Sequence, residues 1–340
     1  MPLRDTHVTL AHGGGGQAMR DLIEEVFAPV FGSETAEDQA RVTHPSLAEP
    51  GARLAITTDG YTVSPLEFPG GDIGKIAVCG TVNDLAVGGA RPLWLSAAFI
   101  IEEGAEIALL SRIARSMRME AEVAGVAIVT GDTKVVERGK GDGVFVSVTG
   151  VGVIAPGRDL AARLIRPGDV AIVNGPLGDH GAAILAARGE LALSADIRSD
   201  CAALGHLMEA ALEAAPGIRA ARDATRGGLA AALNEMALAA GVGVALDEGA
   251  IPVRPEVQGM CEILGLDPLY LANEGTLVLF VPEDQSGDAL SAMRARPEGA
   301  GAAIIGRAVA ERPGMVTMNT AFGGSRIVDM PLGEQLPRIC

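Results

Sequence analysis

The sequence predicts an α+β protein with two domains. Its 340 residues fit two domains better than one. Apolar runs of strand length alternate with stretches whose apolar residues recur at helical spacing. A segment bounded by prolines, Pro156 to Pro167, separates the two halves. We therefore expect an N-terminal domain over 1–155, a C-terminal domain over 160–312, and a segment over 313–340 that contains a hairpin and a mobile tail ending in Cys340.

The N-terminal half alternates predicted strands with predicted helices. Asp72 stands where its side chain can cap a helix by accepting hydrogen bonds from backbone N–H groups. The longest helix in this half has apolar residues recurring along one face. The strands are predicted over 7–11, 53–60, 92–102, 126–130 and 144–153, and the helices over 17–27, 72–87 and 105–124.

The C-terminal half continues the alternation and ends in a hairpin over 315–330 that turns at Phe322. The glycine pair Gly227-Gly228 opens one helix, which ends near Ala240. The other predictions are strands over 169–174, 218–222, 276–281 and 301–309, and helices over 179–188, 199–214 and 255–264.

Composition limits the possible functions. The net charge of −16 argues against a nucleic-acid ligand, which favours a basic surface. The longest apolar stretch, from Leu93 to Ile101, is too short to span a bilayer, and the first residues lack the apolar run of a signal peptide. The four cysteines form neither a C-x-x-C pair nor a zinc pattern. We expect a cytoplasmic protein with reduced thiols.

Four aspartates stand beside Gly, Thr or Asn at the edges of apolar elements: Asp59, Asp84, Asp132 and Asp223. Each could simply be a helix cap. Together they favour a Mg²⁺–nucleotide site, because Mg²⁺ takes oxygen ligands and completes its shell with water and phosphate. Lys134, two residues after Asp132, would supply positive charge near the phosphates.

The glycines at 13–16 precede a predicted helix and allow two interpretations. Backbone N–H groups at such a turn can hold phosphates, and Gly14 and Gly15 are the candidates. A merely flexible loop explains the glycines equally well, because four consecutive glycines satisfy many patterns.

The sequence ends in Pro337-Arg338-Ile339-Cys340, after a stretch from Gly333 with no helical or alternating pattern. We expect this tail to be mobile and Cys340 to be exposed. Eight extended residues reach roughly 26 Å, which allows the thiol to visit a pocket and also a partner. The other three cysteines, at positions 79, 201 and 261, stand in apolar surroundings or loops and are expected to be structural.

Motifs in this order carry a resemblance to a known superfamily. TTDG, GTVNDLAVGG, TGDTKVV and RDATRGGLAAALNEMA resemble the ATP-binding superfamily of aminoimidazole ribonucleotide synthetase, selenophosphate synthetase and thiamine-monophosphate kinase. HGGGG, EFPGGDIGK and the final PRIC narrow the resemblance to the HypE family of carbamoyl dehydratases, which act in hydrogenase maturation.

The resemblance implies a fold and a chemistry. The fold is the two-domain aminoimidazole ribonucleotide synthetase-like one: an N-terminal half-barrel completed by dimerisation, and a C-terminal α/β sandwich. HypF would load a carbamoyl group onto Cys340, and ATP with Mg²⁺ would drive its dehydration to a thiocyanate. The cyanide would pass to iron on a HypC–HypD scaffold for [NiFe] hydrogenase.

The motif positions imply roles for individual residues. Cys340, Lys134 and Glu274 would be catalytic, with Glu274 of the Asn273-Glu274-Gly275 motif as the base. The four aspartates named above would hold the metal. The nucleotide would contact Gly14, Gly15, Asp59, Gly60, Asn83, Asp84, Asp132, Thr133, Lys134, Asp223, Thr225, Arg226 and Gly227.

Two other functions fit part of the sequence. Another enzyme of the superfamily, such as a small-molecule kinase or a selenophosphate synthetase-like enzyme, would not need Cys340. The latter would be expected to carry a reactive Cys or selenocysteine in its N-terminal loop, and residues 12–16 have none. A non-catalytic scaffold that docks through its tail would not need Asp59, Asp132 or Lys134.

Overall fold

A computed structural model describes residues 5–32, 39–189, 196–333, 336 and 338–340 of the chain. Across these ranges no helix is both long enough and apolar enough to cross a membrane.

Nine α-helices are formed by the described residues. A turn of π-helix, Ile23–Phe27, joins the first two into one continuous helix. The helices are α1 (Gln17–Leu22), α2 (Ala28–Phe31), α3 (Ile73–Val87), α4 (Ile107–Ala124), α5 (Asp179–Ala187), α6 (Gly205–Ala214), α7 (Gly228–Ala240), α8 (Pro255–Leu264) and α9 (Ser286–Arg294).

Thirteen strands lie in the same ranges and form three sheets, the smallest of which is the pair β2–β3. The strands are β1 (Arg53–Tyr61), β2 (Glu67–Phe68), β3 (Gly71–Asp72), β4 (Ala90–Glu102), β5 (Ala127–Val136), β6 (Val144–Ile154), β7 (Val170–Val173), β8 (Ala220–Asp223), β9 (Gly243–Asp247), β10 (Leu277–Val281), β11 (Ala303–Val309), β12 (Val316–Asn319) and β13 (Ser325–Ile327).

The first sheet has four strands in the order β1-β6-β4-β5. Helix α3 packs on one face, and Asp72 caps that helix by accepting hydrogen bonds from the N–H groups of Gly74 and Lys75, at 2.7 and 3.0 Å. The opposite face lacks such a cover among the described residues. There the side chains of Leu54 and Ile56 are 59% and 70% exposed.

The second sheet has seven strands in the order β13-β12-β9-β11-β7-β10-β8. Helices cover both faces of this sheet. Successive side chains of a strand point to opposite faces, so neighbouring residues pack on different helices. Ala171 and Val173 pack with α7, whereas Ile172 packs with α6 and α9. The predicted hairpin forms, and its strand β12 pairs with β9, so the hairpin extends the seven-stranded sheet.

Some local predictions were wrong. A strand was predicted over 7–11, but residues 10–13 form a 3₁₀ turn. The ring of His12 accepts a hydrogen bond from the Thr9 N–H and closes this turn. Strand β5 runs to Val136, so the Gly131-Asp132-Thr133-Lys134 motif lies within a strand. A helix was predicted over 199–214, but α6 begins only at Gly205. The preceding residues, Asp200 among them, instead bind the loop that contains Glu274. Strand β9 and helix α9 were not predicted.

Candidate functional site

Three of the predicted aspartates lie together where the two domains meet. Asp59 lies on β1 with its side chain on the α3 face, Asp84 on α3 and Asp223 at the end of β8. The hydroxyl of Thr57 donates a 2.7 Å hydrogen bond to Asp84. Burial is the main cause that raises the pKa of Asp223 to about 6, and the charge of Asp84 acts in the same direction. The pKa of Asp59 is raised by the same two causes.

This arrangement fits a Mg²⁺ ion that is bound partly by these carboxylates and partly by phosphate oxygens. The described residues contain no group of three acidic, histidine or cysteine side chains that could hold a metal by themselves. Mg²⁺ commonly takes one or two carboxylates and completes its shell with water and phosphate oxygens. Burial first, and then repulsion by Asp84, raise the pKa values of Asp59 and Asp223, and a bound cation would relieve that repulsion.

Glu274 is buried beside this cluster, with only 2% of its surface exposed. Burial raises its pKa well above the ordinary value, and the charges of Asp200, Asp223 and Asp59 act in the same direction. Its Oε1 atom has no hydrogen-bond partner among the described residues. The backbone around it is fixed by Asp200, whose carboxylate accepts the N–H groups of Glu274 and Gly275, each at 3.0 Å. A buried carboxyl group is therefore held ready beside the cluster.

Cys340 lies against Glu274. The thiol and the carboxyl are close enough for a hydrogen bond, which lowers the pKa of Glu274. The pKa of the thiol is raised above its usual range, by burial first and then by the charge of Glu274, while Arg226 acts in the opposite direction. The expectation of an exposed cysteine is thus corrected for this conformation, in which the thiol meets the predicted base.

The end of the tail is docked by hydrogen bonds to its backbone. His180 Nε2 lies 2.7 Å from the Ile339 carbonyl oxygen. Arg188 and the Ser64 N–H both donate to the Arg338 carbonyl, at 3.0 and 3.2 Å. Ile339 is 4% exposed and packs into the N-terminal core. Pro337 of the PRIC motif lies outside the described residues.

Asn83 was predicted to contact a nucleotide, but its side chain is engaged with the backbone. Its amide donates to the carbonyls of Ala202 and Glu274, at 3.0 and 3.3 Å, and its oxygen accepts the Leu204 N–H at 2.7 Å. Asn83 therefore positions the loop of Glu274 from helix α3.

The loop after β8 borders the cluster. Thr225 and Arg226 follow Asp223, and the charge of Arg226 acts on both Asp59 and Cys340. Gly227 has a left-handed φ of 74°. A side chain at Gly228 would place Cβ 2.4 Å from the Leu269 carbonyl oxygen, so the loop can turn into α7 here only with glycine. Gly60 is exposed on β1, next to Asp59.

The remaining predicted residues lie at the opposite edge of the four-stranded sheet. Asp132 is aligned across the strands with Ala98, Ser147 and Gly60, so its side chain lies on the open face, opposite to that of Asp59. Lys134 lies on the same open face and binds the Asp132 carboxylate at 2.6 Å, which lowers the pKa of that carboxyl.

The glycine-rich loop lies beside this edge. A Cβ added at Gly13 would lie 2.8 Å from Cβ of Val135, the residue that follows Lys134. Gly14 and Gly15, the next two residues, are exposed, whereas Thr133 is buried. One chain thus divides the predicted site residues into two groups at the two edges of one sheet.

Sequence reasoning missed Asp200 and His180, whose partners are distant in the chain. Asp200 holds a loop 74 residues away, and His180 holds a carbonyl 159 residues away. The available signal was a histidine after Gly178-Asp179 at a predicted helix start, in a chain with only five histidines.

Comparison with known proteins agrees with the fold and the motifs. The model of the AIR synthase related protein N-terminal domain matches residues 36–154, and the model of its C-terminal domain matches residues 166–319. The carbamoyl dehydratase HypE of Rhodobacter capsulatus is 74% identical over the whole length of both chains.

Two solved structures are also similar. A HypE in complex with ATP superposes with a TM-score of 0.92 at 45% identity, over 97% of this chain and 99% of the other. A chain of a HypE–HypF complex gives 0.80 at 45% identity, over 91% and 99%. The chain therefore belongs to the carbamoyl dehydratase HypE family, within the AIR synthase related proteins.

Proposed function

We propose that this chain uses ATP and Mg²⁺ to dehydrate a carbamoyl group carried on Cys340. The product is a protein thiocyanate that donates cyanide to the iron of [NiFe] hydrogenase. The observation that carries the proposal is the contact of the Cys340 thiol with the buried Glu274 carboxyl, beside Asp59 and Asp223. In the proposed function these residues serve as the carrier thiol, the base and part of the metal–phosphate site.

The reaction balances as a phosphoryl transfer followed by an elimination. The oxygen of the thiocarbamate S–C(O)NH₂ takes the γ-phosphoryl group of ATP, releasing ADP. The C–O bond then breaks with loss of phosphate, and the nitrogen loses its two protons, leaving S–C≡N. Phosphate is a far better leaving group than oxide, which is why ATP is consumed. Mg²⁺, when bound, would neutralise charge on the transferring phosphoryl group.

Glu274 is suited to accept a proton from the nitrogen. It is buried beside the thiol, and its raised pKa gives it a high proton affinity. Asp223 and Asp59 contribute to that raised pKa. A cation bound at Asp223 and Asp59 would neutralise their charge and so lower the pKa of Glu274. This favours the carboxylate form of Glu274, which can act as a base.

A homodimer would reunite the two groups of site residues. Lys134, Asp132, Gly14 and Gly15 lie at the β5 edge of the sheet, and Asp59 lies at its β1 edge. We propose that two copies of the sheet join edge to edge as a closed barrel, so that the β5 edge carrying the Lys134 group in one copy adjoins the β1 edge carrying Asp59 in the other. Such closure also covers the exposed side chains of the open face and removes free strand edges.

The proposed partners follow the proposed chemistry. HypF would supply the carbamoyl group, which is supported by the similarity to the HypE chain of a HypE–HypF complex. A HypC–HypD complex would accept the cyanide. A cytoplasmic location is consistent with the four free cysteines.

The mass of the intact protein tests this function. After incubation with the carbamoyltransferase, carbamoyl phosphate and ATP, the protein should gain a carbamoyl group and then lose the mass of one water, both on the peptide that ends in Cys340. Cys340→Ala should remove both changes while the other three cysteines remain. Modification of Cys340→Ala to the same extent would overturn the carrier assignment. ATP turnover that never yields a cyano mass would favour another enzyme of the superfamily.

A further inference from the structure

His180 is fully buried at the start of α5 and contacts both the protein body and the tail. Its Nδ1 lies 2.9 Å from the Ser199 hydroxyl oxygen, and its Nε2 lies 2.7 Å from the Ile339 carbonyl oxygen. The edge of the ring meets Phe68, with ring centroids 5.4 Å apart and planes at 80°. Three contacts therefore fix the orientation of the imidazole.

The protonation of the ring follows from its partners. A carbonyl oxygen can only accept, so His180 Nε2 carries the hydrogen and donates it to Ile339. Burial lowers the pKa of His180, which favours the neutral ring, and Nδ1 is then an acceptor. Ser199 Oγ already accepts the Cys201 N–H at 3.1 Å and is free to donate its own hydrogen to Nδ1. Each link in this chain has a donor and an acceptor.

The same short segment also fixes the base. Ser199 orients His180, which holds the residue before Cys340. Asp200, the next residue, accepts the N–H groups of Glu274 and Gly275 and the hydroxyl of Thr276, the last at 2.9 Å. Two adjacent residues thus set the positions of the thiol carrier and of its base relative to each other.

We propose that His180 is a positioning residue for the dehydration, which holds the Ile339 carbonyl so that the group on Cys340 faces Glu274. The inference rests on the proposed function of Cys340 as carrier. His180 bonds to a backbone atom, so its hold on the tail does not depend on whether the sulfur carries hydrogen, carbamoyl or cyanide. His180 itself takes no proton from the substrate.

Two variants separate positioning from packing. In His180→Gln, the amide nitrogen can take the place of Nε2 and keep the bond to Ile339. In His180→Asn, the shorter side chain can still meet Ser199 but cannot reach Ile339. Loss of one buried hydrogen bond predicts about tenfold faster alkylation of Cys340 and about tenfold slower conversion of carbamoyl to cyano protein in His180→Asn. His180→Gln should stay near the wild type in both, and both variants should bind ATP as the wild type does.

The measurements are the alkylation rate of Cys340 by peptide mass spectrometry and a single turnover of carbamoylated protein at saturating ATP. Wild-type rates of both in His180→Asn would overturn the proposal, as would equal losses in the Asn and Gln variants. If His180→Asn fails to fold, Ser199→Ala replaces it, and it should show the same two changes in the same direction. Failure of wild-type protein to form the cyano species would refute the proposed function, while the alkylation rates would still test the hold of His180 on the tail.

Discussion

Asp59, Asp223 and Glu274 share one property, a pKa raised by burial and by neighbouring carboxylates. Carboxylates packed in this way repel one another and lower the stability of the fold. A bound cation relieves that repulsion, so the same arrangement favours cation binding. The stability of the fold and the binding of a cation are therefore linked at these three carboxyl groups.

Replacing Asp59, Asp84 or Asp223 with Asn should weaken Mg²⁺–ATP binding at least tenfold, since each change removes one charge from the proposed metal site. The melting temperature should not fall in Asp59→Asn and Asp223→Asn, because a neutral amide relieves repulsion. Calorimetric titration measures the affinity. Asp288→Asn, an exposed change on α9, is the matched control. Wild-type affinity in all three variants would contradict the site.

Asp179 should make stability depend on pH. Burial raises its pKa from 3.8 to about 6, although Arg254 binds the carboxylate at 2.7 Å. The folded protein therefore binds a proton more tightly than the unfolded chain, so this contribution to stability falls as pH rises from about 4 to about 6.

Asp179→Asn should lack that fall. Relative to the wild type, its free energy of unfolding should rise by up to about 3 kcal/mol between acidic and neutral pH. The comparison is of slopes, so loss of the Arg254 ion pair, which lowers both ends, does not obscure it. Chemical denaturation at several pH values measures the slope, and parallel profiles would contradict the assignment.

At the scale of elements, the tail connects the site to the rest of the reaction. It docks through backbone carbonyls at Arg338 and Ile339, while the Arg338 side chain reaches Asp142 in the loop before β6. In the proposed function, loading by HypF and delivery of cyanide require Cys340 outside the pocket, whereas dehydration requires it at Glu274. We therefore expect the tail to alternate between two positions, of which the structure describes the inner one.

Bound nucleotide should favour the inner position to the extent that it binds that state more tightly. Cys340 should then react more slowly with a thiol reagent when Mg²⁺ and a non-hydrolysable ATP analogue are present. Lys134→Ala, if it weakens nucleotide binding, should reduce this protection. Cys201, buried in the same chain, provides an internal control in the same digest. Equal rates with and without nucleotide would mean that nucleotide does not control the tail.

A single chain of the structure does not bring together all the residues that the sequence motifs group into one site. Asp59, Asp84 and Asp223 could be predicted to share a site because each lies at the edge of an apolar element, whereas Glu274 could be assigned only from the resemblance of its motif. Asp132 and Lys134 belong to the same motif set, yet strand register places them on the other face at the other edge. His180 and Asp200 could not be predicted, since a hydrogen bond between residues distant in the chain leaves no local pattern.

The dimer should form through the four-stranded sheet. Ile56→Asp places a charge on a side chain that is 70% exposed in one chain, so it should leave the monomer folded and block association. Sedimentation equilibrium should give a species of twice 34.7 kDa for the wild type and 34.7 kDa for the variant. A wild-type protein that remains at 34.7 kDa at micromolar concentration would refute the dimer.

Mixed dimers test whether the site is shared. Asp59→Asn and Lys134→Ala damage opposite halves of the proposed composite site. After equal amounts exchange subunits, each mixed dimer should hold one intact site, so about a quarter of all sites should recover ATP binding. No recovery would mean that both residues act within one chain.

The docking of the tail through its carbonyls has a consequence for evolution. Side chains at Arg338 and Ile339 are not what His180 and Arg188 grip, so substitutions there leave these bonds available. Insertion of a single residue between Ile339 and Cys340 changes the geometry, because it moves the thiol by about 3.3 Å from the carbonyl that His180 holds. Selection should therefore guard the spacing between the carbonyl that His180 holds and the terminal thiol.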